Sequence, residues 1–120
     1  MAQHNKIGKE GEELAVKYML ENGYEILNRN WKYMQYEIDI IAKKNNTLCI
    51  VEVKTRTGNF FGEPEEGVSN KKIRFLAHAA DYYIQSKDLV MECRYDIASI
   101  TMFNGRHELK YIEDAFYPYM

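Results

Sequence analysis

The sequence predicts an α/β domain of element order α-β-β-β-α-β-β, with a mixed sheet flanked by helices. Three observations lead there. Two segments, residues 6–21 and 70–86, repeat apolar side chains at helical spacing. The stretches between and after them are short runs rich in β-branched and aromatic residues, several bounded by Asn or Gly. The 120 residues fit one compact domain, 1–120, and leave no room for a second of ordinary size.

The first helix is expected over residues 6–21. Ile7, Gly11, Leu14, Ala15 and Tyr18 share one face, and Gly23 follows where a helix should stop. Tyr24–Tyr33 (YEILNRNWKY) reads as a strand. Glu37–Ala42 (EIDIIA) and Leu48–Thr55 (LCIVEVKT) are β-branched runs separated by KKNNT, which reads as a hairpin. Residues 56–67 (RTGNFFGEPEEG) form the longest loop, of a length often found at functional sites. The second helix starts after Ser69 as N-cap and runs to Ser86, with Ile73, Leu76, Ala77, Ala80 and Ile84 as its buried stripe. Glu92–Met102 and Glu108–Phe116 are the last two strands, joined by a turn at Asn104-Gly105.

Composition excludes several classes. Apolar residues make up 46% and charged residues 28%, an ordinary globular balance rather than a disordered or fibrous one. No apolar run approaches the roughly 20 residues of a bilayer span, so no membrane partner is expected. MAQHNKIGKEGEEL lacks the apolar core of a secretion signal. Cys49 and Cys93 lie in strand-like apolar runs and read as buried, reduced thiols of a cytoplasmic protein. The net charge of −2 hides an asymmetry: residues 1–75 carry 12 Lys/Arg against 11 Asp/Glu, and residues 76–120 carry 4 against 7. A mildly acidic chain of this kind can still present a local basic surface.

The sharpest signal is the register of the hairpin. Centred on Asn45-Asn46, it pairs Ile40 with Val51, Ile38 with Val53 and Ala42 with Cys49 on one apolar face. The other face carries Ile41 beside Ile50, Asp39 opposite Glu52 and Glu37 opposite Lys54. Directly opposed residues have Cβ atoms about 4.5–5.5 Å apart, and two carboxylates there repel unless a proton or cation lies between them. A divalent ion satisfies that pair, because Mg²⁺ is commonly held by one or two carboxylates with waters and substrate phosphate. Lys54 projects from the same face as Glu52, roughly 6.5–7 Å further along the strand. There it could orient a nucleophile or stabilise charge developing on a phosphate. The same residues also fit a surface ion-pair ladder in which Glu37–Lys54 is a cross-strand salt bridge.

Asp39 followed by Glu52-Val53-Lys54 resembles the D…(D/E)-x-K core of the PD-(D/E)XK, restriction-endonuclease-like nuclease superfamily. More widely, GKEGEELAVKYMLENGYEILNRNW, EIDIIA, CIVEVKTR, FGEPEEGVSNKKIRFLAHAADYYI, CRYDIASI and IEDAF resemble the YraN-like family of small bacterial proteins, in order over nearly the whole chain. The resemblance implies a restriction-endonuclease-like core and a Mg²⁺- or Mn²⁺-dependent endonuclease acting on DNA, with branched or processed intermediates as one substrate class. It implies Asp39 and Glu52 as metal ligands, the Val53 carbonyl as a third, and Lys54 as the catalytic lysine. The family also carries a glutamate after the second glycine of a G-x-x-G pair, here Gly8…Gly11-Glu12. At 100° per residue Glu12 lies at the edge of the buried face while Glu13 points away. Glu37 either supports Lys54 or adds a ligand. One departure is Tyr36, where the family usually has glycine before the Glu-Ile-Asp segment; the ring could stack on a base.

Outside the hairpin, Lys71, Arg74, Phe75, His78 and Tyr82 lie on the second helix away from its buried stripe. Basic residues interleaved with aromatics suit phosphate contact and base stacking, and the same face would serve a homodimer anchored by Phe75 and Tyr82. Arg56, at the loop entrance, is a phosphate candidate near the proposed metal. His4, His78 and His107 show no ligand spacing. Asp96, in RYDIAS, reads as structural, and the tail FYPYM as packing or partner surface. Two function classes remain: a DNA phosphodiesterase, or a noncatalytic nucleic-acid-binding or interaction protein retaining the nuclease fold. The acidic cluster favours catalysis, because a pure binder gains nothing from carboxylates that repel phosphate.

Overall fold

Every predicted helix and strand forms, in the predicted order, in the computed structural model, which describes residues 2–58 and 68–117. Of the loop read over 56–67, Arg56 and Thr57 instead end the third strand, and residues 59–67 lie outside the described residues, as do residues 118–120 of the tail and the side chain of His4. The elements are α1 (Ala2–Glu21), β1 (Glu25–Tyr33), β2 (Tyr36–Lys44), β3 (Thr47–Thr57), α2 (Asn70–Ser86), β4 (Glu92–Phe103) and β5 (Arg106–Ile112).

The strands form one five-stranded sheet in the order β1-β2-β3-β4-β5. All neighbours are antiparallel except β3 and β4, which run parallel and are joined through α2. A parallel pair needs such a crossover, so α2 lies against one sheet face. α1 covers the other. On its side lie Ala15, Met19, Ile40, Ala42, Cys49, Val51, Ala98 and Ile100. On the α2 side lie Ile41, Leu48, Ile50, Leu76, Ala79, Ala80, Tyr83 and Ile97.

Local chemistry explains the element ends. Gly23 has φ +85°, and the Tyr24 N–H donates to Met19 O at 2.9 Å, a left-handed glycine closing α1. Ser69 caps α2 by accepting from the Lys72 N–H at 3.1 Å. Gly11 lies where α1 crosses β3, and a Cβ there would overlap the Thr55 side chain.

Three readings are corrected. α1 begins one turn earlier than residue 6. The buried stripe of α2 is Leu76, Ala77, Ala79, Ala80 and Tyr83, with Ile73 and Ile84 only half-buried. β5 spans Arg106–Ile112 rather than reaching Phe116, because Asp114 takes φ +52° and its N–H turns to the Asp96 carboxylate. The Asn104-Gly105 turn forms as expected, with φ of 52° and 72°.

Candidate functional site

The hairpin register holds where both faces are apolar: Ile40 pairs with Val51, Ile41 with Ile50 and Ala42 with Cys49. Beyond Ile40 and Val51 that ladder ends. Ile38 then packs with the α2-side cluster, whereas Ile40 packs with the α1-side cluster. Strict alternation would put both on one face. β1 makes the matching turn: Arg29 reaches α1 while Trp31 packs on the α2 side, and Asn30 between them has φ +51°. The expected Ile38–Val53, Asp39–Glu52 and Glu37–Lys54 pairs are thus not part of the β2–β3 ladder, although β2 stays paired with β1 on its other edge. Glu37 pairs across with Lys32 of β1, and the Asp39 side chain itself accepts the Val53 N–H at 2.8 Å. A carboxylate oxygen thus takes a donor that the sheet no longer satisfies.

Splayed strands bring the two acids into mutual influence without pairing them in register. Burial, and then the Glu52 charge, push the Asp39 carboxyl up to about 7, against the lowering effects of the Val53 N–H and of Lys72. Glu52 is only 5% exposed, and its Oε1 lies 3.0 Å from Lys72 Nζ on α2. Its Oε2 is buried with no hydrogen-bond donor among the described residues. Burial lowers the Lys72 pKa, but the charge and hydrogen bond of Glu52 outweigh it, and the net direction is upward.

Asp39 and Glu37 line two cavities. On the α1 side, a space of about 460 Å³ is also bounded by Glu12, Asn30, Val53 and Thr55. On the α2 side, one of about 400 Å³ is also bounded by Tyr36, Ser69, Lys71, Lys72 and Phe75. Glu12 occupies the edge expected of it: its side chain is 12% exposed and its Oε1 accepts from Arg29 Nε at 3.1 Å and Asn30 Nδ2 at 3.0 Å. Glu13 points outward and holds the other arm of Arg29 at 2.6 Å.

Lys54 is half-buried on β3, two residues beyond Glu52 and on the same side, and lines neither cavity. Arg56 follows at the same spacing, also half-buried. Lys71 and Arg74 are exposed on α2, with Lys71 Nζ 5.7 Å over the Phe75 ring. Phase alone placed Phe75 outward, but it is half-buried and stacks on Tyr36 with centroids 3.8 Å apart.

Sequence reasoning missed Lys72. Its signal was present: residues 72, 76, 79 and 83 recur at the spacing of one helix face, so Lys72 heads the buried stripe. Asp96 is structural, fully buried on β4. It accepts from Arg94, from Tyr111 Oη at 2.6 Å and from the Asp114 N–H at 3.1 Å. Cys49 and Cys93 are free thiols, raised by burial to about 12 and about 11.

Among the described residues, no three His, Cys, Asp or Glu side chains gather into a metal cage. The donors around Asp39 and Glu52 are all oxygen, however, and Mg²⁺ is commonly held by one or two carboxylates with waters completing the shell. The Glu52 Oε2, which no described donor reaches, and the Asp39 carboxyl, pushed up by burial and the Glu52 charge, both favour added positive charge. The residues therefore fit a hard divalent cation. No helix among the described residues is long and apolar enough to cross a membrane.

Residues 11–100 match the model for the "Uncharacterised protein family UPF0102". The chain is 45% identical over 118 residues to a UPF0102 protein of Bacteroides thetaiotaomicron, covering 98% of each chain. It is 45% identical over 117 residues to UPF0102 protein FP2501 of Flavobacterium psychrophilum, and 44% over 117 residues to a UPF0102 protein of Christiangramia forsetii, again over 98% of each chain.

Proposed function

The chain belongs to the UPF0102 family, the YraN-like family its sequence resembles, and from that footing we propose that it is a divalent-metal-dependent nuclease hydrolysing DNA phosphodiester bonds. The observation that carries this reading is a buried carboxylate, Glu52, with one oxygen lacking a donor among the described residues, next to an Asp39 carboxyl that burial and the Glu52 charge push up to about 7. Such an arrangement costs stability in a protein without a cation and is relieved by one.

In this reading Asp39, Glu52 and the Val53 carbonyl would hold Mg²⁺ or Mn²⁺, which would supply Lewis acidity and a lowered water pKa. Lys54 orients the attacking water and stabilises charge developing on the phosphate. Glu12 bounds the α1-side cavity beside Asp39 and fixes Arg29 and Asn30 there, while Glu37 supports the cationic side. Water attacks phosphorus and gives up a proton to solvent, the bridging P–O bond breaks, and the leaving oxygen takes a proton from solvent, so that one water is added across the bond. Arg56, Lys71 and Arg74 contact flanking phosphates, a salt-sensitive contribution.

A second reading, a noncatalytic nucleic-acid-binding or interaction protein, draws on the Lys72–Glu52 ion pair, which already answers one Glu52 oxygen without metal. Calorimetric titration with Mg²⁺ and Mn²⁺, paired with cleavage of linear, single-stranded and branched DNA, separates the two. Wild type should take up metal and cleave, Asp39→Asn should lose uptake, and Lys54→Ala should keep uptake without cleaving. Uptake without cleavage of any substrate selects the binding reading. No uptake, with unchanged stability in Asp39→Asn, selects a plain ion-pair cluster.

A further inference from the structure

The seam between α2 and the β1–β2 hairpin is lined by rings. Lys71, Phe75, His78 and Tyr82 form one stripe of α2 at i, i+4, i+7 and i+11. Facing them, Tyr36 stacks on Phe75 at 3.8 Å, Tyr33 meets Tyr82 at 4.8 Å with the rings tilted by 34°, and Trp31 lies 6.2 Å from Tyr82. The two ring groups are seven residues apart on α2, about 10 Å along its axis.

Packing accounts for part of this. Trp31 and Tyr33 are half-buried against the α2-side core and pin the hairpin down. It leaves surface over: Tyr82 is 52% exposed, and Met34 at the hairpin tip is 82% exposed. At its other end the seam opens into the 400 Å³ cavity where Lys71, Lys72 and Asp39 meet Tyr36 and Phe75. Cations therefore stand beside rings, and both lead toward the acids.

We propose that this seam binds an unpaired strand of nucleic acid, its bases laid on the exposed ring surface of Tyr82 and on the side of Tyr36 turned away from Phe75, and its phosphates met by Lys71 and Arg74. The inference deepens the nucleic-acid reading above by naming its substrate class. Bases in a duplex spend their π-faces on each other, so a row of rings discriminates only in favour of bases that are free to stack. The cationic rim supplies the complementary charge.

The test measures binding without metal, so that cleavage plays no part. Fluorescence anisotropy in EDTA compares labelled oligothymidylate of about a dozen nucleotides, within the usual range of single-strand site sizes, with a duplex of equal length. The single strand should bind at least about tenfold more tightly than the duplex. Tyr82→Ala should weaken single-strand binding by about 5- to 10-fold, the loss of one stacked base, with duplex binding unmoved, and Tyr82→Trp should restore it. Equal affinity for both nucleic acids, or indifference to Tyr82→Ala, overturns the inference. So does a dimer by light scattering that Tyr82→Ala dissociates, which assigns the seam to a second copy of the chain. Ring-dependent binding together with absent metal-dependent cleavage would sink the hydrolytic reading and leave this one standing.

Discussion

Lys72 Nζ stands 3.0 Å from Glu52 Oε1, so the buried acid of β3 is answered by a base in the first turn of α2. That end of a helix carries partial positive charge and disfavours a lysine. Glu52 offsets the penalty, and the two elements are joined by electrostatics as well as by the core beneath them.

Lys72→Met should therefore leave Glu52 buried and unanswered. Lys72 is 44% exposed, which screens the pair below the usual value for a buried one. A loss of about 1–2 kcal/mol is expected at neutral pH by urea unfolding. The double variant Lys72→Met/Glu52→Gln should recover most of it, and Mn²⁺ should stabilise the single variant more than wild type.

Asp39 makes stability fall as pH rises. Its folded pKa lies near 7, above the ordinary 3.8, so between those values the native state holds a proton that the unfolded chain has released. The Asp39 contribution is constant below about 4, declines through the window and levels off above about 7. Melting followed by circular dichroism in EDTA should show this slope in wild type. Asp39→Asn, which can still accept the Val53 N–H, should flatten it.

Gly11→Ala should destabilise by about 1–3 kcal/mol, because the added methyl overlaps the Thr55 side chain where α1 crosses β3. Thr55→Ala in the same chain should return part of the loss, measured by chemical denaturation. An unchanged midpoint for Gly11→Ala would mean that α1 does not approach β3 this closely.

Tyr111→Phe removes the 2.6 Å hydrogen bond to the buried Asp96 carboxylate. The expected cost is about 1.5–3 kcal/mol, as for a bond to a charged group. Metal titration of this variant should match wild type, because Arg94 and the Asp114 N–H still hold Asp96 and the Asp39–Glu52 region is untouched.

The readable parts of the fold were those set by neighbours in sequence. The short Asn45-Asn46 turn, with Asn45 at φ +55°, sets Ile40 against Val51 between runs that are apolar on both faces. Ser69 and Gly23 mark helix ends through their own backbone chemistry. The departure at Asp39 was not readable by the same rule. It depends on the left-handed Asn30 in another strand and on the Val53 N–H passing from backbone to side chain. Lys72 was not legible because a lysine carries no hydrophobic signal and its partner Glu52 lies on a distant strand, and the end of β5 was not because Asp96 lies 18 residues from the Asp114 N–H it captures.

The parallel crossover also sets an order of assembly. Asp39 and Glu52 sit in a hairpin of low sequence separation that closes quickly, whereas Lys72 arrives only when α2 docks and β4 joins β3. If the acids approach before α2 brings Lys72, their repulsion is uncompensated at that stage; refolding of Lys72→Met should then gain more from added Mn²⁺ than refolding of wild type, as followed by stopped-flow fluorescence.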